Sequence, residues 1–133
     1  MSMPEGISVA DIAWEPGNQP GRPPQFDGEV RRATLVRVGS FAGALDANVA
    51  IVQFVDGART YWHQHPEEQI LVVLHGECRF GTEAGGEHVA REGQVIRLPG
   101  GQRHWHGAAP GSTMTHISIT HGGAAEWYGP VPR

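Results

Sequence analysis

A single cysteine, Cys78, stands in this chain of 133 residues. One thiol excludes an intrachain disulfide and any zinc site built from several thiolates, and it is compatible with a reducing compartment. Long apolar runs are missing too. The longest aliphatic stretch, Ile70 to Leu74, falls far short of the roughly 20 residues a helix needs to cross a bilayer. Met1 to Trp14 shows no cationic start followed by an apolar run, so no secretory signal is expected. Nor is there a basic excess: the formal net charge is -4, with both signs interspersed. That balance argues against a nucleic-acid partner and against a membrane surface. The expectation is a cytoplasmic protein whose partner is a small, neutral or weakly polar molecule.

Sustained helical periodicity is also absent, and no segment repeats another. Short apolar or alternating runs recur instead between glycine-containing turns, which is the pattern of an all-β sandwich or small barrel. Candidate strands are Val30 to Val36, Asn48 to Val55, Thr60 to His65, Gln69 to His75 and Glu77 to Phe80. His88 to Arg91, Val95 to Leu98, His104 to Gly107 and Met114 to His121 complete the set. The loop Gly81 to Glu87 reads as a hairpin connection. A length of 133 residues suits one domain with one buried core. Residues 1–28 are set apart by clustered Pro and Gly, which disfavour helix and central strand. That segment is either a disordered leader or an extended arm anchored by Trp14 and Phe26.

Two segments carry the chemistry. The first reads Gly57-x5-His63-x-His65-x3-Gln69-x6-Gly76 and the second Gly93-x5-Pro99-x-Gly101-x2-His104. On a strand, side chains alternate faces at about 3.3 Å per residue, so His63 and His65 project to the same side. Gln69 keeps that parity after a turn at Pro66, and His104 can arrive from a distant strand of a closed sheet. Three imidazoles and one carboxamide then form a candidate divalent-metal site. If Gln69 were a bystander, Glu67 or Glu68 would be the substitute. Nitrogen and oxygen donors without thiolate suit manganese, iron, cobalt, nickel or zinc. Such a neutral donor set leaves the double positive charge uncancelled, so the ion should polarise strongly and welcome an anion.

These are the residues of the two cupin motifs, and from about Glu29 to His121 the chain resembles that superfamily. Gln69 departs from the glutamate usual in the first motif, and Ala108 from the asparagine that usually ends the second. Four runs are similar to the small manganese-dependent cupin hydroxynitrile lyases: Gly57-Ala58-Arg59-Thr60, Trp62-His63-Gln64-His65-Pro66, His104-Trp105-His106-Gly107-Ala108-Ala109-Pro110 and Met114-Thr115-His116. The resemblance implies a single jelly-roll β-barrel over residues 29–133, one divalent ion per chain with manganese favoured, and cleavage or formation of cyanohydrins.

His106 follows His104 by two residues and should share its face. His116 belongs to a face made of Met114, Ser118 and Thr120 besides itself. Both are candidates for proton transfer, since an unperturbed imidazole titrates near pH 6.5. Ala50, Val52, Leu71, Val73 and Thr120 are the expected substrate pocket, with plain core packing as the alternative for the four aliphatics. His75, His88 and His121 fall outside the motifs and are read as surface or structural. An outward row of Ile70, Val72 and Leu74 on one strand calls for cover, by a second copy in a homodimer or by the N-terminal arm. A cupin dioxygenase on the same metal site, or a domain that binds a small ligand without turnover, are the competing functional readings.

Overall fold

Turns interrupt the chain every few residues, and the stretches between them pair as antiparallel strands, with no α-helix among the described residues. The computed structural model describes residues 6–40, 43 and 45–133, so the first five residues of the expected N-terminal arm lie outside the described residues. The strands are β1 (Glu15–Pro16), β2 (Phe26–Asp27), β3 (Val30–Val38), β4 (Ala47–Phe54), β5 (Arg59–Thr60), β6 (His63–Gln64) and β7 (Gln69–His75). After them come β8 (Cys78–Thr82), β9 (Glu87–Ala90), β10 (Val95–Leu98), β11 (His104–Ala108), β12 (Met114–His121) and β13 (Glu126–Trp127).

One sheet runs β1-β3-β4-β12-β7-β10. In the other, β11 is flanked on one side by β5 and β6, which continue to β2 and β13, and on the other by β8 and β9. The two sheets form the jelly-roll sandwich expected of the sequence. Strand β12 shows how the interior is divided. Its inward residues are Met114, His116, Ser118 and Thr120, all buried, so one alternating face passes from apolar to polar along its length. At the Met114 end it meets Phe54, Leu71, Val73, Cys78 and Leu98, the closed apolar core. Each such buried side chain contributes roughly 1.5–3 kcal/mol of hydrophobic stabilisation. The polar end is left for a site.

Strand positions follow the sequence pattern, with one informative break. Thr60 to His65, expected as one strand, is two short ones, because Tyr61 and Trp62 donate their backbone N–H groups to Gln25 and Gly129 rather than to a ladder. Three two-residue strands, β1, β2 and β13, carried no alternation to reveal them. Two glycines are required by close approach. A Cβ on Gly76, which has φ +78, would lie 2.2 Å from the Thr113 carbonyl oxygen, and one on Gly107 would lie 2.3 Å from Arg59 Cβ. A register irregularity between β12 and β7 falls at Thr115/His116, and it re-aims the chain beside a buried histidine.

Between residues 6 and 28 the chain touches the edges of both sheets. Glu15 and Pro16 pair with Arg32 and Arg31 of β3, and Phe26 and Asp27 pair with Thr60 and Arg59 of β5. Asn18 pins the connection: its Oδ1 accepts the Gln25 and Phe26 N–H groups at 2.8 and 3.0 Å. Phe26 is buried in the core, and Trp14 lies under the Arg31 guanidinium, 4.2 Å away. No helix among the described residues is long and apolar enough to cross a membrane.

Candidate metal centre

Strand pairing brings the motif histidines together. His63 is the ladder partner of His104, so β6 and β11 set the two rings with centroids 4.4 Å apart. His65 follows just past β6; its carbonyl accepts the Gly101 N–H at 2.9 Å, which ties the first motif to the second. Its ring centroid is 5.3 Å from that of His63 and 5.8 Å from that of His104. Gln69 opens β7 opposite Leu98 of β10 and points inward, buried. One ring nitrogen each from His63, His104 and His106 lie within 4.8 Å of one another.

Hydrogen bonds fix which atoms face the centre. Nδ1 of His63 donates to the Tyr61 carbonyl at 2.9 Å, and Nδ1 of His104 donates to the Gln102 carbonyl at 3.1 Å. A carbonyl only accepts, so both rings carry their proton on Nδ1 and turn an Nε2 lone pair inward. The Gln69 amide is oriented by its Nε2, which donates to Ser118 Oγ at 2.8 Å, leaving Oε1 directed at His104 Nε2 at 3.0 Å. Two lone pairs thus oppose one another in a buried space. Gln69 also reaches His63 and His65, and the buried His65 Nδ1 has no partner.

Electrostatics agree with a neutral donor set. Burial, then repulsion from His104, hold His63 well below the ordinary imidazole value. Burial brings His65 down to about 4, against an upward pull from Gln69. His104 is likewise brought to about 4, by burial and then His65. Neutral imidazoles with inward lone pairs, plus an amide oxygen, are what a divalent cation needs. The residues fit a metal. Glu67 and Glu68 are not needed as substitutes: Glu67 is exposed and Glu68 is held by Arg97 in an ion pair.

Beside this cluster His116 Nε2 lies 3.0 Å from His106 Nδ1, so one proton is shared along that line. His106 Nε2 and His116 Nδ1 have no partner, although both atoms are buried. Burial followed by His116 keeps His106 well below its usual value, and burial brings His116 to about 4. Both rings line a cavity of about 230 Å³ shared with His63, His65 and Gln69. Of the expected pocket residues, Ala50, Val52 and Thr120 line this cavity. Leu71 and Val73 do not: they are packed into the core cluster at the closed end. His75, His88 and His121 lie away from the cavity, His88 against Phe80.

Several wall residues lay outside the sequence reading. Trp127 of β13 stacks on His63, centroids 4.4 Å apart and planes 19° apart, and forms part of the wall. Arg32, Asn48, Gln25, Ala124 and Ala125 complete its rim. All sit beyond the two motifs; Asn48, which shares its strand face with Ala50 and Val52, is the one that alternation could have pointed to.

Comparison with known proteins matches these features. The cupin domain family matches residues 50–120. The chain is 42% identical over 105 residues to an (R)-mandelonitrile lyase of Granulicella tundricola, covering 77% of this chain and 78% of that protein. Among solved structures, a cupin-like protein from Thermotoga maritima aligns with TM-score 0.74 and 37% identity over 82% of this chain and 83% of that one. The polyketide cyclase RemF from Streptomyces resistomycificus shares the fold at 19% identity, with TM-score 0.73 over 94% of this chain and 85% of its own.

Proposed function

This chain belongs to the cupin family, and we propose that it acts as a metal-dependent carbon–carbon lyase of the hydroxynitrile-lyase kind, with manganese as its ion. The observation that carries the reading is the closeness of two devices: the ring nitrogens of His63, His104 and His106 with Gln69 Oε1 beside His104, and the His106–His116 pair; His65 completes the ligand set of this reading. Support comes also from the 42% identity to a protein named for mandelonitrile cleavage.

His63, His65, Gln69 and His104 would hold a divalent ion, which would supply Lewis-acid polarisation of a substrate hydroxyl oxygen. The protein's own groups do the rest. Ala50, Val52, Phe54 and Trp127 offer apolar wall for the organic part of a cyanohydrin. The free nitrogen of His106 or His116 takes the hydroxyl proton; the carbon–cyanide bond breaks, and its electron pair leaves with cyanide. A proton from the other imidazole then gives hydrogen cyanide, and the carbonyl product remains. The short line between His106 Nδ1 and His116 Nε2 lets the pair exchange one proton internally, so it can accept at one end and donate at the other. Both rings are neutral near pH 7, as an acceptor must be.

Incubation of manganese-loaded protein with (R)-mandelonitrile tests the reading. Cyanide and benzaldehyde should appear, and the release should stop when the metal is removed. Absence of cyanide from loaded, folded protein would overturn it, and oxygen uptake with a diol or enol in its place would favour a dioxygenase. The reading carries with it a cytoplasmic location and a homodimer closed over the outward face of β7.

A further inference from the structure

The cavity wall is unbalanced in charge. Among its described lining residues there is one arginine, Arg32, and there is no aspartate or glutamate. Arg32 is therefore the one Arg, Lys, Asp or Glu side chain among those described lining residues. Arg32 takes part in none of the ion pairs formed among the described residues, which engage Arg79, Arg91, Arg97 and Arg133. Glu15 is its ladder neighbour on β1, yet no ion pair joins them. The strand order gives Arg32 its direction: it pairs with Val52, which pairs with His116, so the three share one inward row of the sheet.

We propose that Arg32 is an anion-recognising residue of this cavity, and that the molecule bound there carries a carboxylate at the end remote from the metal centre. An arginine in a partly enclosed wall favours a planar oxyanion, with which it can form two parallel charge-assisted hydrogen bonds. A site of this polarity lacks an anion until its ligand brings one. The space suits the class. An apolar cavity of roughly 150 Å³ holds benzene, so about 230 Å³ accommodates one ring with a polar group at each end. A hydroxyl or carbonyl then faces the histidine cluster and a carboxylate faces Arg32. This deepens the lyase reading by naming a carboxylated aldehyde or its cyanohydrin, and it rests on that reading only for what the metal-facing end does.

Binding without turnover separates the two claims. Calorimetry with 4-formylbenzoate and its neutral methyl ester, in the absence of cyanide, should show the acid bound at least tenfold more tightly by the wild-type protein. Arg32→Gln should abolish that preference and Arg32→Lys should retain part of it, with metal content unchanged in both. The preference should also survive removal of the metal, because Arg32 is no ligand. Equal binding of acid and ester by the wild type would overturn the proposal, as would a preference that persists in Arg32→Gln or disappears with the metal, which would put the carboxylate on the ion. Carboxylate preference without cyanide release from any cyanohydrin would leave the subsite standing and remove the lyase reading alone.

Discussion

At the scale of single residues, the position that most distinguishes this site is Gln69. A glutamate there would cancel one unit of the ion's charge, whereas the amide cancels none and spends its N–H on Ser118 Oγ at 2.8 Å. Gln69→Glu is therefore expected to hold manganese more tightly and to lower mandelonitrile turnover about tenfold, equivalent to ~1.4 kcal/mol of barrier. Turnover equal to wild type would show that the uncancelled charge does not matter. The histidines predict a pH response as well. His65, His104 and His116 sit near 4 in the folded, metal-free chain, against about 6.5 when exposed by unfolding. Between those values the unfolded chain binds more protons, so stability must fall as pH drops from about 6.5 towards 4 and level off above 6.5. Each imidazole removes up to about 1.4 kcal/mol per pH unit within that window. Urea melts of apo protein at pH 7.5, 5.5 and 4.5 check this; a flat profile would mean that the rings titrate alike in the folded and the unfolded chain. His65, Gln69 and His104 were legible in advance because their spacing within two short motifs states their geometry, and His116 because its strand alternates. Arg32 and Trp127 were not, because their place depends on strands that meet only after folding.

At the scale of elements, the strands differ in how openly the sequence declared them. β4, β7 and β12 alternate over seven or eight residues, and their inward faces came out as the parity required. Two-residue strands such as β13 have no period to read. Yet β13 matters: it pairs with β6 through Trp127 and His63, and the indole lies flat on that imidazole, 4.4 Å between centroids. The stack walls one side of His63 while the Tyr61 carbonyl fixes its tautomer. Loss of a residue that orients a ligand typically costs 10–100-fold in metal affinity. Trp127→Ala is expected to weaken manganese binding by roughly tenfold, and Trp127→Phe to restore most of it, as measured by competition with a fluorescent chelator. Affinity unchanged in the alanine variant would reduce Trp127 to cavity lining. The failed expectation of one strand from Thr60 to His65 has the same origin, since Trp62 gives its N–H to Gly129 of the C-terminal segment.

At the scale of the whole molecule, the jelly roll puts its core at one end and its lone pairs at the other, and both were foreseeable from alternation plus motif. Its outer surface was legible in part: the outward row Ile70, Val72 and Leu74 was expected, and its extension to Val95 was not. Ile70 and Val72 are half-buried on the outward side of β7, while Leu74 and Val95 are 45% and 64% exposed. Val95 is the ladder partner of Val72, so these residues form one apolar area on a single sheet. A second copy seated there is our proposal, and Val72→Asp with Val95→Asp should convert the dimer to monomer in sedimentation velocity; a wild type that already sediments as a monomer would remove it. What the account depends on is narrower, namely that three imidazoles and one amide oxygen converge on a cation. Manganese titration of chelator-treated protein, followed by electron paramagnetic resonance, reads this directly. Wild type should take up one equivalent with nitrogen couplings from coordinated imidazoles, and His104→Ala should leave the signal of free aqueous manganese while remaining folded. Wild-type protein that leaves manganese free in solution, or a His104→Ala variant that binds it as before, would contradict the account.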